Sequence, residues 1–134
     1  VALDFVEEAV RQAARRHPLI FGVVADVFHL PIGSAGLAGI LCVNFLERTL
    51  FPLLGDLLEP GGLLVYETYT MDQLELVREG RARAPTDPRY LLEPGELLRL
   101  VHPLRVLDWR EGLVDDQAGT RYVASVVARR EALG

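Results

Sequence analysis

The sequence predicts an α/β fold: a mostly parallel sheet with helices on both faces, closed at its C-terminal end by an antiparallel hairpin. Three observations carry this expectation. Short runs that are apolar on both faces, Leu19 to Ala25 and Gly39 to Phe45, alternate with stretches of helical periodicity, the pattern of central parallel strands under covering helices. A Glu59-Pro60-Gly61-Gly62 turn leads from a leucine-rich helix into another apolar run. The last two apolar runs are joined by Asp115-Asp116-Gln117-Ala118-Gly119, a polar connection of hairpin type.

Taken in order, Val1 to Leu3 can finish a strand. Val6, Ala9, Val10 and Ala13 then recur at helical spacing, with Asp4 and Glu7 at capping-box separation and Pro18 stopping the helix. Leu19 to Ala25 is a strand ending at Asp26, and Pro31 to Gly36 is a loop before the strand Gly39 to Phe45. Leu53, Leu54, Leu57 and Leu58 form the next helical stripe, with Pro52 tolerated in the first turn. Leu63 to Tyr69 is a strand, and Thr70 with Gln73 has capping-box spacing for a helix over 72–79 that Gly80 ends. Arg81 to Arg89 has no period and reads as an exposed loop able to pass over a site. Pro94 is expected as the first residue of a helix carrying Leu97, Leu98, Leu100 and Val101, and Arg105 to Val114 with Arg121 to Ala128 make the hairpin.

The 134 residues suit a single domain over 1–134, and a composition 50% hydrophobic and 25% charged is that of a globular protein with its own core. A formal charge of −5 gives no electrostatic reason to expect nucleic acid or an anionic membrane as partner. One cysteine, Cys42, flanked by apolar residues, reads as a buried thiol and fits a reducing cytoplasm. His17, His29 and His102 share no ligand spacing with one another or with Cys42, so no metal is expected. Ser34 and Ser125 lack the G-x-S-x-G elbow of a hydrolase, and the glycine pair Gly33, Gly36 is a loop rather than a phosphate cradle.

In open parallel sheets, ligands bind beyond the carboxyl ends of the strands. Asp4 and Asp26 end two consecutive strands; one carboxylate can accept both hydroxyls of a ribose, and the other the exocyclic amine of an adenine while the Val27 amide donates to the ring. Equally, Asp4 can cap its helix and Asp26 a turn. Arg48, Glu67 and Tyr69 fall near the same sheet edge and can meet a substrate, whereas Glu47 reads as a solvated helix start.

Val1-Ala2-Leu3-Asp4, Val23-Val24-Ala25-Asp26-Val27-Phe28-His29, Asn44-Phe45-Leu46-Glu47-Arg48 and Leu57-Leu58-Glu59-Pro60-Gly61-Gly62-Leu63-Leu64 together resemble motifs of the class I S-adenosylmethionine-dependent methyltransferases, and more closely of the small tellurite-resistance type of bacteria. The resemblance implies a Rossmann-like fold, S-adenosylmethionine as cofactor and methyl transfer to a small-molecule acceptor. It implies Asp4, Phe5, Asp26, Val27 and Asn44 on the cofactor, with no catalytic acid or base required. The first motif of that family, a strand running into a glycine-rich loop, belongs before Val1. The first strand is therefore expected to be missing from this chain, leaving two unpaired edges that the flanking strands close directly or that a homo-oligomer fills. Alternatives are a folded fragment without cofactor binding, a non-catalytic association domain and, more weakly, a dinucleotide-binding oxidoreductase.

Overall fold

The computed structural model describes residues 1–33 and 36–132, which form two compact units, Val1–Gly33 and Ser34–Gly134. The serine nucleophile considered at Ser34 lies outside the described residues.

The first unit is a strand–helix–strand motif. Strand β1 (Ala2–Asp4) pairs in parallel with β2 (Gly22–Val24), Asp4 standing opposite Val24, and α1 (Glu7–Arg16) makes the crossover. The helix lies directly on β2: a Cβ at Gly22 would stand 2.5 Å from Val10 Cγ1, and Val10 is the residue the helix buries. The expected Asp4–Glu7 capping box does not form. Two residues, Phe5 and Val6, turn the chain out of β1, so the N-cap is Val6; Glu7 instead pairs with Arg11 at 2.6 Å. The second strand is shorter than expected from its apolar run, because β1 offers only Ala2, Leu3 and Asp4 for pairing.

The second unit holds a four-stranded sheet in the order β3-β4-β6-β5, with β3 (Leu37–Val43), β4 (Leu58–Tyr69), β5 (Arg105–Asp116) and β6 (Gly119–Arg129). β3 and β4 pair in parallel and β6 runs antiparallel to both its neighbours, so β5 points the same way as β3 and β4. The sheet is thus mixed, and its one antiparallel strand is interior rather than at the expected edge, since the second arm of the hairpin inserts between β4 and β5. Among the described residues β1 pairs only with β2 and β3 only with β4, so each has one unpaired edge.

The helix α2 (Phe51–Leu57), with Pro52 in its first turn as expected, and α4 (Glu96–Val101) pack on one sheet face. Their Phe51, Leu97 and Val101 form a core with Leu64, Tyr66, Ala124, Val126 and Ala128. On the opposite face Leu41 is 73% and Val43 47% exposed, so within this unit that side of β3 is left uncovered by helices. Helix α4 starts at Glu96, not Pro94, because Gly95 takes the left-handed N-cap conformation at φ 70°.

The irregular first half of β4, where a turn was expected, needs both its glycines for different reasons. Gly61 has φ 86°, and a Cβ on Gly62 would lie 2.9 Å from the carbonyl oxygens of Glu59 and Leu37. The pairing register accordingly jumps from Leu37–Leu58 to Gly39–Leu63. Helix α3 (Gln73–Arg78) also lacks its expected box: Thr70 is drawn into a bridge with Leu92, and the buried Gln73 side chain accepts from the Tyr122 amide at 2.9 Å and donates to the Ala84 carbonyl at 3.3 Å.

Candidate functional site

In the second unit a cleft of about 220 Å³ opens at the carboxyl ends of the parallel strands β3 and β4. Asn44, Phe45 and Leu46 follow β3, Thr68 and Tyr69 end β4, and Pro85 and Tyr90 come from the loop after α3. The ladder extends by one bond into the cleft, from the Asn44 amide to the Glu67 carbonyl at 2.9 Å. There the chain turns sharply: Asn44 is the one non-glycine with positive φ among the described residues, at 56°. Asparagine tolerates that conformation better than other side chains, and such strain concentrates at binding sites.

Behind the cleft, the buried Tyr66 hydroxyl donates to the Phe45 carbonyl and fixes the loop, with the Tyr66 ring 4.7 Å from that of Phe51. Burial pushes the Tyr66 phenol well above its usual range and also raises the Cys42 thiol. Neither group is a nucleophile or base near neutral pH, and Cys42 is the half-buried structural thiol its neighbours suggest.

The loop Arg81 to Arg89, expected to pass over a site, contributes Pro85 to the cleft, and Tyr90 just beyond it contributes its ring. Arg48 holds it there. Its guanidinium donates to Glu96 at 2.5 and 3.0 Å, to the Arg89 carbonyl at 2.8 Å and to the Leu91 carbonyl at 3.0 Å. That hydrogen bonding keeps the Glu96 carboxyl below the usual carboxylate range. Arg48 therefore has its donors engaged within the protein, and its visible role is to anchor the loop.

Asn44 and Tyr69 share this cleft; Glu67 does not. Glu67 lines a broader groove of about 650 Å³ across the outer sheet face, where Arg121 lies 3.8 Å away and is held by Asp116 at 2.8 Å. Ser125 lines the same groove, and Glu47 caps the short turn before α2 by accepting from the Thr49 amide at 3.2 Å. Phe45 and Thr68 lie within the strand ends and Pro85 within the loop that the sequence points to, though none was named as a site residue; Tyr90 lies one residue beyond that loop.

In the first unit Asp4 and Asp26 sit at or just past the ends of the parallel pair. Asp4 Oδ1 accepts from the Val6 amide at 2.9 Å, and Asp26 Oδ1 from the Phe28 amide at 2.9 Å, so both cap turns. Asp26 Oδ2 stands 3.6 Å from His29 Nδ1, and Asp4 Oδ2 has no partner among the described residues. Each carboxylate keeps accepting capacity beyond its cap. Phe5 beside Asp4 is 74% exposed, and Val27 is partly buried.

The chain has the class I S-adenosylmethionine-dependent methyltransferase fold. It superposes on a methyltransferase of Methanosarcina mazei with a TM-score of 0.70 at 16% identity, over 98% of this chain and 81% of that one. TehB of Haemophilus influenzae matches with a TM-score of 0.67 at 15% identity, over 96% of this chain and 49% of TehB. The N-methyltransferase NodS of Bradyrhizobium japonicum, in complex with S-adenosylhomocysteine, matches with a TM-score of 0.64 at 17% identity, over 96% and 64%. In sequence, the chain is 30% identical over 123 residues to the 23S rRNA (guanine(748)-N(1))-methyltransferase of Streptomyces fradiae, covering 91% of this chain and 36% of that protein. The chain thus spans about a third of the length of that curated relative. No family model matches.

Proposed function

We propose that this chain is the greater part of an S-adenosylmethionine-dependent methyltransferase domain. The observation that carries the reading is the pair of carboxylates at the ends of adjacent parallel strands, Asp4 and Asp26, each with an oxygen left over from its turn cap. Asp4 Oδ2 suits a ribose diol, and Asp26 with the Val27 amide suits an adenine edge, next to the exposed ring of Phe5. When bound, the cofactor would be held by Asp4, Asp26 and the Val27 amide and would supply an activated methyl group for transfer to the acceptor. The chain's own residues bind and orient. Asn44 and Tyr69 serve the acceptor cleft, and no side chain in that cleft is required as acid or base.

The acceptor was expected to be a small molecule, with nucleic acid excluded on charge. The rRNA target in the name of the Streptomyces fradiae relative argues against that exclusion, and a nucleobase belongs among the acceptors. The cofactor reading is tested by calorimetric titration of the chain with S-adenosylhomocysteine against Asp4→Asn. Asparagine preserves the acceptor for the Val6 amide but replaces the second oxygen with a donor, and about tenfold weaker binding is expected for losing one charge-assisted bond. No binding by the parent chain, or equal binding by both, would sink it.

A further inference from the structure

We infer that the cleft at the ends of β3 and β4 takes an uncharged planar heteroaromatic ring, read along an edge that presents a hydrogen-bond donor beside an acceptor. This rests on the reading of that cleft as the acceptor side.

The lining decides the class. Phe45, Tyr69 and Tyr90 bring three aromatic rings, Leu46 and Pro85 add apolar surface, and no Asp, Glu, Lys or Arg lines the cleft. A cationic acceptor such as an amine would lose hydration there without gaining a counter-charge, and the Arg89 guanidinium, spread over the Tyr90 ring at 5.7 Å, is already paired with Asp87. A flat π-system instead gains stacking on rings that are still accessible: Phe45 is 37% exposed and Tyr90 52%, with the Arg89 guanidinium over one face of the Tyr90 ring.

Size narrows it further. At about 220 Å³ the cleft is below the roughly 300–1,000 Å³ of pockets that enclose a drug-sized ligand, so it admits the ring and leaves its substituent outside. Direction comes from Asn44. Its backbone is held at φ 56° by the turn out of β3, and among the described residues its carboxamide has no hydrogen-bond partner in the protein. A carboxamide offers one acceptor and two donors in a plane, which matches a ring edge carrying N–H beside C=O, or a ring nitrogen beside an amino group. Nucleobases have such edges whether free, in a nucleoside, or unstacked in a single strand.

The test titrates the chain with guanosine, with ribose 5-phosphate, and with a short single-stranded guanosine-containing RNA. Binding is read from ring-proton shifts in NMR, with S-adenosylhomocysteine binding measured on the same samples. Guanosine should bind, with its ring protons shifted upfield by stacking, and ribose 5-phosphate should not. Tyr90→Leu, at an exposed position, should weaken guanosine binding at least fivefold. Asn44→Asp, which tolerates the same backbone conformation but cannot donate, should weaken it about tenfold while leaving the melting temperature close to the parent's. RNA binding tighter than guanosine identifies a strand as the source of the ring; equal binding identifies the free nucleoside. Guanosine binding no better than ribose 5-phosphate, or unchanged in both variants, overturns the inference. If S-adenosylhomocysteine still binds in that case, the methyltransferase reading survives; if guanosine binds and S-adenosylhomocysteine does not, the ring site stands and that reading falls.

Discussion

At the scale of single residues, Arg48 and Asn44 illustrate how a side chain's partners decide its role. From its place beside the sheet edge Arg48 reads as a substrate residue, yet its guanidinium bonds to Glu96 and to two loop carbonyls. Those partners lie 41 to 48 residues away, beyond any local pattern, which is why the sequence did not reveal the clamp. Because Arg48 lowers the Glu96 pKa in the folded state, the pair's contribution is complete above the ordinary glutamate value of about 4.3 and is lost as pH falls through the lower folded value. Arg48→Met should therefore cost about 1–2 kcal/mol in urea unfolding at neutral pH, where Glu96 is left charged without its partner. The difference from the parent should shrink as the titration enters that acid range. A gap that stays constant with pH would assign the loss to packing of the arginine stem. Asn44, by contrast, is expected from the resemblance to meet the cofactor; its left-handed backbone and its neighbours in the cleft became visible only in three dimensions.

At the scale of elements, periodicity located the strands and helices, and capping residues misled about where they begin. Thr70-Met71-Asp72-Gln73 has the spacing of a capping box, but Thr70 is 4% and Gln73 2% exposed, and burial gives both residues tertiary work instead. The Thr70 hydroxyl is left buried without a partner among the described residues. The Pro-Gly-Gly segment, in contrast, was readable because its demand is local. At Gly62 the constraint is space rather than backbone angle, so Gly62→Ala would force a methyl against two backbone carbonyls that cannot swing aside. A loss of about 1–3 kcal/mol is expected in denaturant unfolding, against the small gain Ala usually brings at an unconstrained glycine. A neutral or stabilised variant would show that the segment can open.

At the scale of the whole molecule, the α/β character and the terminal hairpin were legible, and the order of strands was not. Apolar runs report burial, not neighbours, so nothing in Arg121 to Ala128 says that this strand enters between β4 and β5. The two units also differ in how much they bury. Among the described residues of the first unit only Val10 is buried, whereas the second has the core around Leu64, Tyr66, Leu92 and Leu97. Amide hydrogen exchange should consequently be faster in β1 and β2 than in β4 and β6; similar protection would show that the first unit is held by more than its own core. The placement of β6 has a further consequence for biosynthesis. It is the last strand in the sequence yet an interior strand of the sheet, and Arg130 just beyond it donates to the carbonyls of Gly55, Asp56 and Leu58 at the end of α2. During synthesis β4 and β5 are made before β6 and wait with exposed edges, so this unit cannot close until β6 has emerged, and in that interval its nascent form is a natural client for a chaperone.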